Sequence, residues 1–299
     1  MVPTRKNLFD YVDRKAIARL ASGTVSSQKP MEGNISGLHR SAHKGSSVEF
    51  SEYREFSEGD DPRRIDWRVL GRTDKCFLKE FEAETSLRCE LVLDCSGSMN
   101  FGKPENKMEF AKKILMTLTY LFLHQGDAVG LKMIKETRVD ELPARKNPRH
   151  LTEILNLIEK VKAVGKNNLI KSLHEIAEST RRRAMVVIIS DFLEESESIL
   201  QILHHLRERK HEVVLFHLFN HTELEFNFNK PIRFIDLEGG SSILTDPSQI
   251  KQEYLNNLNQ HIQEIRVGSA KTQCSHQVIS TSDKMEEALM RFSMKQRES

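Results

Sequence analysis

The chain has 299 residues, 38% hydrophobic and 29% charged, a profile long enough for one large domain or two small ones. Its 45 Lys and Arg nearly balance 43 Asp and Glu, and a formal charge of +2 gives no bulk attraction to nucleic acid or anionic lipid. No apolar run reaches the roughly 20 residues that span a bilayer, and the first residues lack a signal-peptide core, so a cytoplasmic chain without stable membrane insertion is expected.

In chain order, residues 7–20 place Leu8, Phe9, Val12, Ile17 and Leu20 near helical spacing. Residues 21–47 are rich in Ser, Gly and Lys and predict a loop. The first 47 residues hold eight Lys or Arg against three Asp or Glu, without the interleaved aromatics that stack nucleic-acid bases, so a solvated or partner-facing arm is expected. Over residues 59–72, Asp60, Asp61 and Asp66 alternate with Arg63, Arg64, Arg68 and Arg72 around Trp67, which suits an ion-pair network with an apolar anchor; a recognition surface is the alternative. Residues 75–81 predict an extended strand leading onward. From Arg88, short apolar strands alternate with amphipathic segments, the pattern of an α/β domain with a mostly parallel sheet. Strands are predicted over 89–93, 127–134, 184–190, 212–219, 232–237 and 273–279. Helices are predicted over 107–124, 148–161, 169–183, 199–209, 247–267 and from 283 to about 297. The expected domains are 1–87 and 88–299. Cys76, Cys89, Cys95 and Cys274 show no CxxC spacing and are expected as reduced thiols.

The chemistry concentrates after the first strand of the second domain, in Asp94-Cys95-Ser96-Gly97-Ser98. Parallel α/β sheets bind ligands at the carboxyl ends of their strands, and this loop offers one carboxylate and two hydroxyls at alternate positions. Such all-oxygen donors suit a hard divalent cation, while the alternative is that Asp94 and Ser96 cap the next turn. Asp191 is a second acidic residue at a second strand end, and the polar turn around Asn167 offers a third source of oxygen.

Asp94, Ser96 and Ser98 match the DxSxS motif of von Willebrand factor A domains, and Asp191 matches the third loop of their metal-ion-dependent adhesion site. Upstream, EFSEYREFSEGDDPRRIDW over residues 49–67, continued by residues 79–84, resembles the signature of the DUF58 family, bacterial proteins associated with MoxR-type AAA+ ATPases. The resemblance implies a Rossmann-like von Willebrand A domain holding Mg²⁺ or Mn²⁺, with Ca²⁺ also accepted by such donors, and used to bind protein rather than to catalyse. It implies Ser96 and Ser98 as direct ligands, with Asp94 and Asp191 acting largely through water. The second loop departs from the pattern, placing Asn167 where such domains usually carry threonine.

Enzymatic readings find little purchase. Ser96 is not in a GxSxG elbow, no GxxxxGK[ST] loop is present, and no histidine pair has HExxH spacing. A Mg²⁺-dependent hydrolase built on Asp94 and Asp191, and a metal-free scaffold, are the rival readings. The expected function is a non-catalytic adaptor presenting a divalent-metal adhesion site to a protein, a MoxR-type ATPase or that ATPase's client.

Overall fold

The structure, a computed structural model, describes residues 8–21, 40–56, 69, 71–72, 76–84, 87–228, 230–240 and 242–298. Its elements begin with α1 (Leu8–Tyr11), α2 (Arg14–Ala21), β1 (Arg40–Glu55), β2 (Phe77–Glu84), β3 (Arg88–Asp94) and, after a 3-10 turn, α3 (Lys107–His124). They continue with β4 (Ala128–Ile134), β5 (Val139–Arg145), α4 (His150–Ile158), α5 (Leu169–Ser179), β6 (Met185–Ser190), α6 (Ser196–Glu208) and β7 (Glu212–Phe219). The last are α7 (His221–Glu225), β8 (Ile232–Ile235), β9 (Ser242–Thr245), α8 (Pro247–Lys271), β10 (Ser275–Ser280) and α9 (Met285–Glu298).

Two compact units result. The smaller contains the antiparallel β1–β2 hairpin, closed by the Phe56 N–H donating to the Cys76 carbonyl at 2.9 Å. The loop expected over 21–47 ends earlier, since β1 begins at Arg40; residues 22–39 lie outside the described residues, as does the ion-pair network expected around Trp67. The larger unit joins the N-terminal helices to everything from Arg88 onward, which differs from the expected grouping of residues 1–87. The physical reason is apolar burial. Tyr11, Val12 and Ala16 are buried; α1 and α2 contact α3, and α2 also contacts α9. The Asp13 N–H donates to Thr117 Oγ1 at 3.1 Å.

In the larger unit a six-stranded sheet has the order β10-β7-β6-β3-β4-β5, parallel throughout except for the antiparallel β5. This is the Rossmann-like α/β arrangement expected. Every residue of β6 is buried, as its unbroken Met-Val-Val-Ile-Ile run requires between two parallel neighbours covered on both faces. Val92, Val186, Ile188, Val213 and Leu215 share a core with the stripes Leu169, Leu173, Ile176 of α5 and Ile199, Ile202, Leu203, Leu206 of α6. Those stripes recur at three and four residues, so each helix lays one face on the sheet. Each such aliphatic chain contributes roughly 1.5–3 kcal/mol of transfer free energy.

Within the larger unit two strand pairings were not expected. β5 reads Val-Asp-Glu-Leu-Pro-Ala-Arg, too polar to signal a strand, because it is a half-exposed edge whose register shifts opposite Gly130 next to Pro143. The strand predicted over 232–237 does form as β8, but it pairs with β9 in a separate hairpin rather than joining the main sheet.

Candidate metal and adhesion site

The site grows from the carboxyl ends of β3 and β6. Leu93 pairs with Ile189 in the parallel ladder, so Asp94 and Ser190 emerge side by side. Asp94 is buried, and its carboxylate accepts three hydrogen bonds. The Ser96 N–H and Asn167 Nδ2 donate to Oδ1 at 2.9 and 2.7 Å, and Ser190 Oγ donates to Oδ2 at 2.6 Å. Burial raises the pKa of Asp94, the charge of Asp191 raises it further, and these three hydrogen bonds pull part of the shift back. Among the described residues Asp94 makes no ion pair. The hydroxyls of Ser96 and Ser98 lie 2.9 Å apart.

Backbone contacts tie the second loop to the first. The Gly97 N–H donates to the Gly165 carbonyl at 2.7 Å, and the Val164 N–H to the Cys95 carbonyl at 3.2 Å. The approach requires glycine at 97: a Cβ there would stand 2.1 Å from the Leu237 carbonyl oxygen, so the segment after β8 rests directly on the DxSxS loop. Val164, Leu193 and Leu237, one from each bordering segment, are exposed. Cys95 points inward, its thiol pushed up to about 12 by burial and then by the charge of Asp94, which makes it an inert packing residue.

Asn167 does something other than expected. Its amide nitrogen faces both Asp94 and the Ile134 carbonyl, the latter at 3.2 Å, because these two acceptors call for a donor. It therefore orients Asp94 here rather than turning its oxygen toward the site.

Asp191 follows β6 directly, and its carboxylate is held by a lysine. Lys107 Nζ lies 2.7 Å from Asp191 Oδ2 and 2.8 Å from Glu223 Oε1, with its side chain 1% exposed. Burial lowers the lysine's pKa, but the two carboxylates outweigh it and leave the ammonium above its ordinary value. The backbone beyond Asp191 is clamped. His217 Nε2 donates to the Asp191 carbonyl at 2.9 Å, His261 Nε2 donates to the Phe192 carbonyl at 2.7 Å, and the Phe192 N–H donates to Ser190 Oγ at 3.0 Å. These bonds hold Phe192 at a φ of 42°, a strained conformation for a bulky residue that costs on the order of 1–3 kcal/mol. His217 stays neutral, its pKa driven well down by burial and by His276 and His261.

The donors therefore suit a hard cation. They are hydroxyl and carboxylate oxygens, and one buried carboxylate, that of Asp94, lacks a counter-charge among the described residues.

The family described as "Protein of unknown function DUF58" matches residues 52–264. The chain belongs to the DUF58 family. Two uncharacterized proteins, Rv1480 of Mycobacterium tuberculosis strain H37Rv and Mb1516 of Mycobacterium bovis, are each 30% identical over 188 residues, 62% of this chain. The match spans 59% of the length of these relatives. Among solved structures, BatB from Bacteroides thetaiotaomicron is 15% identical with a TM-score of 0.48, over 72% of this chain and 100% of that one. The VWA domain of SpRpn10 is 12% identical with a TM-score of 0.42, over 70% and 95% of the two chains. Among the described residues of this DUF58 protein, no helix is long and apolar enough to cross a membrane.

Of the five residues named from sequence, Asp94, Ser96, Ser98 and Asp191 come from the loops after β3 and β6 at one end of the sheet, and Asn167 reaches the same end through its bond to Asp94. Lys107 was missed, and Ser190 and His217 read only as residues of predicted strands. Lysine in a first helical turn reads as solvated, and nothing local to Lys107 signals carboxylates 84 and 116 residues away.

Proposed function

We propose that this DUF58 protein is a non-catalytic protein-binding module whose strand-end site holds a divalent cation, Mg²⁺ or Mn²⁺, and offers it to a carboxylate of a partner protein. The partner proposed is a MoxR-type AAA+ ATPase or that ATPase's client. The carrying observation is the buried Asp94 carboxylate, unpaired with any cation among the described residues and fixed beside the Ser96 and Ser98 hydroxyls. In this reading Ser96 and Ser98 hold the ion directly, and Asp94 and Asp191 act through water. A bound ion would supply an electron-poor position that an incoming Asp or Glu can fill. Asn167 and Ser190 orient Asp94, while His217 and His261 fix the backbone that carries Asp191. Exposed Val164, Leu193 and Leu237 give a partner apolar area to cover around that polar centre.

Calorimetric titration with Mn²⁺, paired with partner capture in Mg²⁺ or EDTA, tests this. Asp94→Ala is expected to lose measurable Mn²⁺ binding and metal-dependent capture while keeping its far-UV circular dichroism. Equal capture in Mg²⁺ and EDTA, with no Mn²⁺ heat from the wild type, would establish the second reading, a metal-free scaffold. That alternative draws on the Lys107–Asp191 ion pair and on the donor role of Asn167.

A further inference from the structure

We propose that Lys107 is a resident counter-charge that competes with a divalent cation for Asp191 and so weakens the ion's binding. The inference rests on the metal-site reading above and adds a residue that sets the site's affinity through Asp191.

The placement of this lysine has no local reason. Its side chain is 1% exposed, at the first position of α3, where the helix dipole disfavours positive charge. Two carboxylates offset that placement, Asp191 Oδ2 at 2.7 Å and Glu223 Oε1 at 2.8 Å. Glu223 is itself anchored. Its Oε2 accepts the Asn220 N–H at 2.6 Å in a capping box, and Asn220 Nδ2 donates to Thr281 Oγ1 at 2.9 Å. The ammonium is thus held from the far side by a fixed carboxylate, in a buried setting where charges are weakly screened. A divalent ion drawing on Asp191 meets both the loss of that ion pair and direct repulsion from Nζ.

The charge count supports the same point. Burial raises the pKa of Asp94 and of Glu223, and with both ionised alongside Asp191 the three carboxylates outnumber the one ammonium by a deficit that one divalent ion would neutralise. Removing the lysine deepens the deficit and frees Asp191. Lys107 therefore acts as a positioning residue: it touches Asp191 and sets how much of that carboxylate is offered.

Titration of the full chain with Mn²⁺, by calorimetry and by electron paramagnetic resonance of the free ion, tests this in the wild type, Lys107→Met and Lys107→Met/Glu223→Gln. The double variant keeps the local charge balance, and its glutamine oxygen still accepts the Asn220 N–H, so it guards against a single variant that fails to fold. Both variants are expected to bind Mn²⁺ more tightly, by about tenfold or more. A merely structural role would loosen the site and could not tighten it. If the wild type binds and the folded variants bind equally or more weakly, the inference is overturned and the metal site stands. If the wild type fails to bind and the variants do, the competing role of Lys107 is upheld and the metal dependence of the native protein falls. Absence of binding in all three proteins overturns both.

Discussion

Glu194 stands three residues beyond Asp191 and faces the charges of Asp94, Asp191 and Glu238. Burial, then the charge of Asp94, raises its pKa from the ordinary 4.5 to about 8. The folded state therefore keeps a proton on Glu194 where the unfolded chain has lost it, so its stabilising contribution is full below about 4.5 and disappears as pH rises through about 8. Differential scanning calorimetry across that window is expected to show a shallower fall in Tm for Glu194→Gln than for the wild type. At this scale the sequence disclosed residues that carry a motif and hid those that act through space. Asp94, Ser96 and Ser98 are legible because the DxSxS motif places them within five consecutive residues. Ser190 looks like a strand end, and its 2.6 Å bond to Asp94 spans 96 residues of chain that only the sheet brings together. Asn167 was found as a polar residue, but which end of its amide faces Asp94 depends on the Ile134 carbonyl of a neighbouring strand.

At the scale of elements, the site is an agreement among loops from separate strands, enforced where backbones touch. Gly97 is the narrowest of those contacts. Gly97→Ala is expected to push the segment containing Leu237 off the DxSxS loop and to strain the bond to Gly165, whose oxygen would lie 3.2 Å from the new methyl. The cost is about 1–3 kcal/mol, the range for forcing a methyl into a filled space, and urea denaturation would read it directly. The buried strands were legible at this scale because continuous β-branched runs have few other uses. β5 and β9 were not, since an edge strand and a two-stranded hairpin bury too little to leave an apolar imprint.

For the whole molecule, the N-terminal helices are part of the larger unit although β1 and β2 intervene before the sheet begins. Removing residues 1–21 would uncover parts of α3 and α9 and take away the Arg19–Glu286 pair at 3.3 Å. Arg19 is more than half exposed, so solvent screens the pair and the loss comes mainly from Tyr11, Val12 and Ala16. Chemical denaturation of the shortened chain is expected to show a loss of about 2–4 kcal/mol, from burial discounted for the order regained. That unit's sheet also has an unusual margin. One of its two edge strands, β5, runs against the others, carries Asp140, Glu141 and Arg145, and includes Pro143, which has no N–H to give. A second copy arriving edge-on would find a broken hydrogen-bonding template and a row of charges. A border of this kind disfavours strand-by-strand polymerisation at that edge.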